Sequence, residues 1–246
     1  MTTVLLHGFT GRPMAWDAVL AQGPLGDGSV VRPELLGHGP VPPPSAGSFL
    51  AEVDRLGEEL RTQGVRDALI VGYSMGARVA LGLLLRHGDL FSSAVLIGVH
   101  PGIADTATRA ARRAEDLALA DRIEGLGVEA FVHEWEGKDL FSTQGHLPTE
   151  VIEGQRSLRL SHLPEGLATA VRVLGLGAMP DLTEAFDTFP GSVRLVVGSE
   201  DAKFRCIAEG ILRAYPRVSL NVVEGAGHNV PLEKPKALYD LLRGAP

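Results

Sequence analysis

Short runs of consecutive apolar residues recur along the chain at 4–6, 30–31, 68–71, 94–99, 193–197 and 220–223. Most are separated by stretches whose apolar residues return at helical spacing. Unbroken apolar strands alternating with helices predict a mostly parallel sheet with helices on both faces, an α/β fold. Between Pro101 and about Pro190 the strand pattern stops. Helical spacing takes over at 104–126, 128–135, 149–160 and 165–174, with Gly175-Leu176-Gly177 and Met179-Pro180 as breaks. The expected organisation is a core built from 1–101 and 190–246, with a helical lid inserted at 102–189. The proline-rich stretch 40–44 reads as a stiff connector after the second strand.

Gly72-Tyr73-Ser74-Met75-Gly76 sits between the run at 68–71 and a helix-like stretch at 77–85. A G-x-S-x-G sequence is weak evidence alone, because 30 glycines will bracket a serine by chance. Placed between a strand and a helix it predicts a nucleophile elbow, a strained turn that pushes the serine hydroxyl out at the end of the sheet. A serine needs a histidine to take its proton, and the histidine works best when a carboxylate fixes its tautomer. Asp201 follows the run at 193–197 and His228 follows the run at 220–223, in the order Ser, Asp, His. Both fall in loops at the carboxyl ends of strands, where open α/β sheets bind ligands. Glu200 competes with Asp201, and an acidic residue there also reads as a helix cap.

The loop His7-Gly8-Phe9-Thr10-Gly11 follows the first strand. Its backbone N–H at Phe9, together with that of Met75, is expected to form an oxyanion hole, with His7 bracing the loop.

A formal net charge of -7 provides no basic footprint for nucleic acid or an anionic membrane. Cys206 is the single cysteine, which excludes an internal disulfide and a cysteine-rich zinc site. No apolar run approaches the roughly 20 residues of a membrane span. The chain opens on a strand-like segment without a signal-peptide pattern, so a cytoplasmic location is expected.

Arg78 changes the picture. It lies four residues after Ser74 on the same side of the helix leaving the elbow, where an anionic substrate gains from a cation and a neutral ester does not. Lid arginines at 109, 112, 113, 156 and 159 offer further two-pronged partners for carboxylates, although position singles out none of them. Trp135 and Phe141 are candidates for an apolar wall or for ordinary lid core.

These residues resemble the 2-succinyl-6-hydroxy-2,4-cyclohexadiene-1-carboxylate synthases of menaquinone biosynthesis, proteins of the α/β-hydrolase fold. The resemblance spans nearly the whole chain: Leu6-His7-Gly8-Phe9-Thr10-Gly11, then Gly72 through Arg78, and His100-Pro101-Gly102-Ile103. It continues with Arg109-x-x-Arg112 and Asp116, Phe131 to Trp135, Phe141, Ser157-Leu158-Arg159 and Pro180-Asp181-Leu182. Gly198 to Phe204 and Ala226-Gly227-His228-Asn229 complete it. The resemblance implies catalytic roles for Ser74, Asp201 and His228. It implies substrate binding by Arg78, Arg112 and Arg159, and an aromatic pocket of Tyr73, Trp135 and Phe141. It also implies a lyase that expels pyruvate from a small polycarboxylate, without metal or organic cofactor, with a monomer as the expected state.

This chain departs from the family at Ala77, where glycine is common, and at Leu160-Ser161-His162-Leu163-Pro164, where some members carry an asparagine-rich run. The leading strands of larger relatives are expected to be absent or trimmed. Two other readings fit the bare residues. One is a carboxylesterase or thioesterase with Ser74 as covalent nucleophile, and the other a binding protein that kept the fold without turnover.

Overall fold

The computed structural model describes residues 1–26, 28–43 and 47–244. Pro44, within the proline-rich connector, lies outside them. The strands are β1 (Thr3–Leu6), β2 (Val30–Val31), β3 (Ala68–Tyr73), β4 (Phe91–Ile97), β5 (Ser192–Gly198) and β6 (Val218–Val223). They form one sheet in the order β2-β1-β3-β4-β5-β6, each pair parallel. Chain order reverses across β1, which has β2 on one side and β3 on the other. The carboxyl ends of β1 and β3 therefore border the crevice where such sheets bind ligands.

Side chains alternate across the pleat, and both faces are apolar. Val4, Leu6, Ile70, Ala94, Leu96, Leu195 and Val197 meet α2 (Phe49–Thr62), α3 (Met75–His87) and α8 (Ala202–Ala214). Their neighbours Leu5, Leu69, Val71, Val95, Ile97 and Val196 face Trp16, the short α1 (Asp17–Leu20) and α10 (Pro235–Arg243). The two-faced burial expected of a parallel sheet is thus met residue by residue.

β4 starts at Phe91 and stops at Ile97, where the apolar run places a strand over 94–99. Ser92 and Ser93 hide its first half from an apolar count, and Gly98, at φ 59°, turns the chain out of the sheet. β6 likewise begins at Val218, two residues ahead of the apolar run.

Among the described residues no strand lies between β4 and β5. That interval holds α4 (Thr106–Glu136), a 3-10 helix at Asp139–His146, α5 (Thr149–Leu160), α6 (Pro164–Leu174) and α7 (Ala185–Thr188). The Asp105 carboxylate caps α4 by accepting from the Thr108 N–H at 2.8 Å. Gly127, at φ 76° and ψ 168°, kinks α4 where the helical spacing breaks. α4 folds onto α6 around Ala120, Ile123, Phe131, Val132, Leu167, Ala168 and Val171, a small core of its own. Phe9, from the loop after β1, packs against both this cluster and the sheet's core. α7 packs on α3, with Ala185 and Phe186 in the sheet's core. Among the described residues no helix is long and apolar enough to cross a membrane.

Candidate active site

β3 ends at Tyr73, and Ser74 is forced to φ 53° and ψ -108° before α3 begins at Met75. This turn demands glycine on both sides. A Cβ at Gly72 would lie 2.5 Å from the Gly76 oxygen, and one at Gly76 would lie 2.3 Å from the Leu6 oxygen. The elbow thus packs α3 directly on β1 and β3, leaving the Ser74 side chain free to turn toward the carboxyl end of the sheet.

The loops after β5 and β6 bring Asp201 and His228 to it. His228 Nδ1–H donates to Asp201 Oδ2 at 2.6 Å, which leaves Nε2 to accept from the Ser74 hydroxyl at 3.0 Å. Asp201 and His228 are buried, at 7% and 3% exposure, which shields their mutual contact from water, while Ser74 lies at the cavities. The two readings of Asp201 hold together: its Oδ1 accepts from the Phe204 N–H at 3.3 Å and caps α8, while Oδ2 faces the imidazole. Glu200 is exposed, and the Ser199 hydroxyl donates to it. The peptide N–H groups flanking His228 are clamped by one carboxylate: Gly227 and Asn229 donate to Glu233 at 2.7 and 3.0 Å. Glu233 is the last residue of α9 (Val230–Glu233).

The loop after β1 is braced by histidines. His7 Nδ1–H donates to the Gly8 carbonyl at 2.9 Å, and His7 Nε2 accepts from the Leu35 N–H at 3.1 Å. Across a planar trans peptide the C=O and N–H point oppositely, so fixing the Gly8 oxygen aims the Phe9 N–H the other way. Among the described residues neither Phe9 nor Met75 donates its backbone N–H to a backbone acceptor outside the regular elements. Burial pushes the His7 pKa down to about 4, and nearby His162 and Arg12 add to the shift against the Gly8 hydrogen bond.

Ser74 stands between two cavities that share Phe9, Trp135, Leu140 and His228. One, about 370 Å³, is bounded by Tyr73, Phe141, Leu158 and Arg159. The other, about 470 Å³, carries the cations Arg78, Arg112 and Lys203 with His100, and the carboxylates of Asp116, Asp139 and Asp201. Arg78 makes no ion pair or side-chain hydrogen bond among the described residues. Burial pulls its pKa down to about 10, the Arg112 charge adds to the shift, and Asp116 opposes it. His100 is held down to about 4 by burial first and then by Arg78, Lys203 and Arg112. Three cations and three carboxylates thus share this cavity, and a bound anion would relieve the charge of Arg78, which has no ion pair among the described residues.

The other arginines sort themselves by partner. Arg112 Nε donates to Asp116 at 2.8 Å. Arg159, 4% exposed, reaches Glu136 at 3.0 Å and lies 4.8 Å over the Phe141 ring. Burial lowers its pKa while Glu136 opposes. Arg109 turns to the Ile103 carbonyl, Arg113 to that of Arg172, and exposed Arg156 to Glu136. Trp135 lines both cavities, and its indole N–H is buried without a partner among the described residues. Burial drives the Tyr73 phenol pKa upward, opposed by Arg159 and assisted by Glu233 and Asp201.

The two cavities beside Ser74 are thus lined by Asp201, His228, Phe9, Met75, Tyr73, Arg78, Arg112, Trp135, Phe141 and Arg159, whereas Arg109, Arg113 and Arg156 turn elsewhere. Lys203, His100 and Leu140 also line them without having been assigned a part. Lys203 carried a usable signal, two residues beyond Asp201 at the start of α8. Among the described residues no group of three or more His, Cys, Asp or Glu is disposed to hold a metal ion.

This fold, with a Ser-His-Asp relay at a strand-to-helix elbow, is that of a hydrolase-type α/β protein. The chain belongs to the alpha/beta hydrolase family, whose model matches residues 3–241. More particular relatives follow. The chain is 33% identical over 236 residues to a Bacillus subtilis (strain 168) protein provisionally named 2-succinyl-6-hydroxy-2,4-cyclohexadiene-1-carboxylate synthase, covering 95% of this chain and 85% of that one. It is 29% identical over 239 residues to the protein of Salmonella agona (strain SL483) that bears this name outright, covering 97% and 91%. A solved structure of MenH from S. aureus superposes with a TM-score of 0.92 at 28% identity, covering 99% of this chain and 92% of that one.

Proposed function

We propose that this chain is a carbon–oxygen lyase of menaquinone biosynthesis. It eliminates pyruvate from 2-succinyl-5-enolpyruvyl-6-hydroxy-3-cyclohexene-1-carboxylate and leaves 2-succinyl-6-hydroxy-2,4-cyclohexadiene-1-carboxylate. The relatives named for that synthase support the reading. The observation that carries it is Arg78, a half-buried guanidinium with no ion pair among the described residues, in a cavity that it shares with Ser74, Arg112 and Lys203.

The substrate has a proton on the ring carbon next to the succinyl ketone, one carbon from the ring double bond. Ser74, relaying to His228 Nε2, takes that proton, and the C–H electrons form a dienolate. Asp201 holds the imidazole in the accepting tautomer and faces the imidazolium that forms. The Phe9 and Met75 amides hold the enolate oxygen, as they would the oxyanion of an ester. Collapse of the dienolate moves the ring double bond and breaks the bond to the enolpyruvyl oxygen. The departing enolate takes a proton and becomes pyruvate. Donors that gain strength as negative charge develops on the oxygen accelerate this step without hydrolysing anything.

Arg78, Arg112 and Lys203 would hold carboxylates on one side of Ser74 and Arg159 on the other, with Tyr73, Trp135 and Phe141 against the ring. We take 102–189 as the lid over a core of 1–101 and 190–246. The same reading makes the protein a cytoplasmic monomer acting on a small polycarboxylate.

Incubation of the purified protein with the enolpyruvyl precursor should release pyruvate, read by a coupled lactate dehydrogenase assay. Ser74→Ala should lower the rate by about 10²–10⁴-fold. A burst of acyl-enzyme with p-nitrophenyl esters, and no pyruvate from the precursor, would refute the elimination in favour of an esterase.

A further inference from the structure

Three successive peptide units in the loop after β1 are each anchored by a different imidazole. The Gly8 carbonyl accepts from His7, and the Thr10 N–H donates to His38 Nε2 at 3.3 Å. The Thr10 carbonyl accepts from His162 Nε2–H at 3.1 Å. His7 and His38 belong to the core, but His162 belongs to the turn between α5 and α6, 152 residues away in sequence from Thr10. The ring of His162 has no freedom of tautomer. Its Nδ1 accepts from the Gly39 N–H at 2.8 Å, so the proton sits on Nε2 and points at Thr10.

Thr10 needs such holding. It sits at φ 62°, a left-handed conformation that a β-branched side chain adopts only under constraint. It adjoins Phe9, which lines both cavities beside Ser74. His162 is 3% exposed, its ring meets that of His38 edge-on at 5.3 Å, and it follows Arg159 by three residues. One short segment therefore joins a cation lining the cavity to the loop that carries the Phe9 amide.

We propose that His162 is a positioning residue that latches the lid to the oxyanion loop: His7 sets the direction of the Phe9 amide, and the far side of the loop, at Thr10, is held in place only when the lid is seated. An anion drawn to Arg159 would seat the α5–α6 turn and complete the hole in the same movement, an induced-fit source of specificity. The inference rests on Ser74 working with the Phe9 and Met75 amides. It does not depend on which reaction they serve, since enolate and ester oxyanion need the same donors.

Two substitutions separate the ring's two contacts. His162→Gln can return a donor near the Nε2 position, whereas His162→Asn retains only an acceptor near Nδ1. We expect His162→Asn to lower kcat by about 10- to 100-fold with KM nearly unchanged, because an oxyanion donor acts in the transition state. We expect His162→Gln to recover to within about threefold of wild type, as one replaced hydrogen bond allows. The comparison is made on whichever turnover the purified protein shows, pyruvate release or ester hydrolysis, so loss of the lyase reading would not obscure the result. Equal losses in both variants, or an effect confined to KM and Tm, would overturn the latch. Should either variant fold poorly, 15N-histidine NMR of the wild type decides. A slowly exchanging Nε2–H on His162 at neutral pH supports the contact, and an Nδ1–H tautomer or fast exchange overturns it.

Discussion

Replacing Arg78 by methionine should move stability and activity in opposite directions. The guanidinium of Arg78 is half-buried with no carboxylate paired to it among the described residues, and burial pulls its pKa about 2.5 below the ordinary arginine value, down to about 10. At about 1.4 kcal/mol per pKa unit, the charged form is destabilised by about 3 kcal/mol at most. Water reaches part of the side chain and screens the charge, so about 1–2 kcal/mol is the realistic share. Because the folded pKa lies below the unfolded one, this penalty is fully present below pH 10 and disappears only as the group loses its proton. Arg78→Met keeps most of the volume and removes the charge. In urea at pH 7 the variant's midpoint should therefore rise at constant m, by about 1–2 kcal/mol in unfolding free energy. Catalysis should suffer, since a charge-assisted contact to a substrate carboxylate contributes about 1.5–3 kcal/mol, or about 10- to 150-fold in kcat/KM. A variant that is less stable than wild type would mean that Arg78 is a structural ion. Unchanged pyruvate release at subsaturating substrate would remove the anion pocket from the mechanism.

Two further outcomes follow from buried polar contacts. Between pH 6.5 and about 4 the unfolded chain takes up a proton that folded His7 refuses, so unfolding free energy should fall with acid by about 3 kcal/mol from this group alone. His38 and His162 are shifted in the same direction, and a His7→Asn variant should show a shallower slope in urea titrations across that window, whereas identical slopes would refute the neutral brace. Glu233→Gln sets an NH2 group against one of the two peptide N–H groups flanking His228 and should lower kcat about 10- to 100-fold. Full activity in that variant would show that the clamp does not position the imidazole.

Much of the architecture was legible because a parallel sheet buries both faces of its strands, leaving uninterrupted apolar runs to count. The same logic blurred β4, whose Ser92 and Ser93 carry no apolar signal although Phe91 and Ser93 pair with β3 around an irregularity at Ser92, and Ser93 pairs with β5. The glycine that separates the helical stretches 104–126 and 128–135 is the kink of α4, and 149–160 coincides with α5. At the site, order along the chain and flanking small residues were enough to single out Ser74, Asp201 and His228, which the fold brings into mutual hydrogen-bond contact. The lid arginines were not separable by spacing. What turns Arg112 and Arg159 inward and Arg109, Arg113 and Arg156 away is the set of carboxylates and carbonyls each meets only after folding. The histidine network was invisible for the same reason: His162 gains its meaning from Thr10 and Gly39, far away in sequence.

Asp201 gives one oxygen to the first turn of α8 and the other to the imidazole. Architecture and chemistry therefore draw on a single side chain, and neither can be discarded without disturbing the other. A descendant that abandoned turnover would still be held to an acidic or amide side chain at this position, while nothing comparable binds it to Ser74. Loss of the serine, rather than of its distant carboxylate, is the mark by which a retired copy of this enzyme should be recognised.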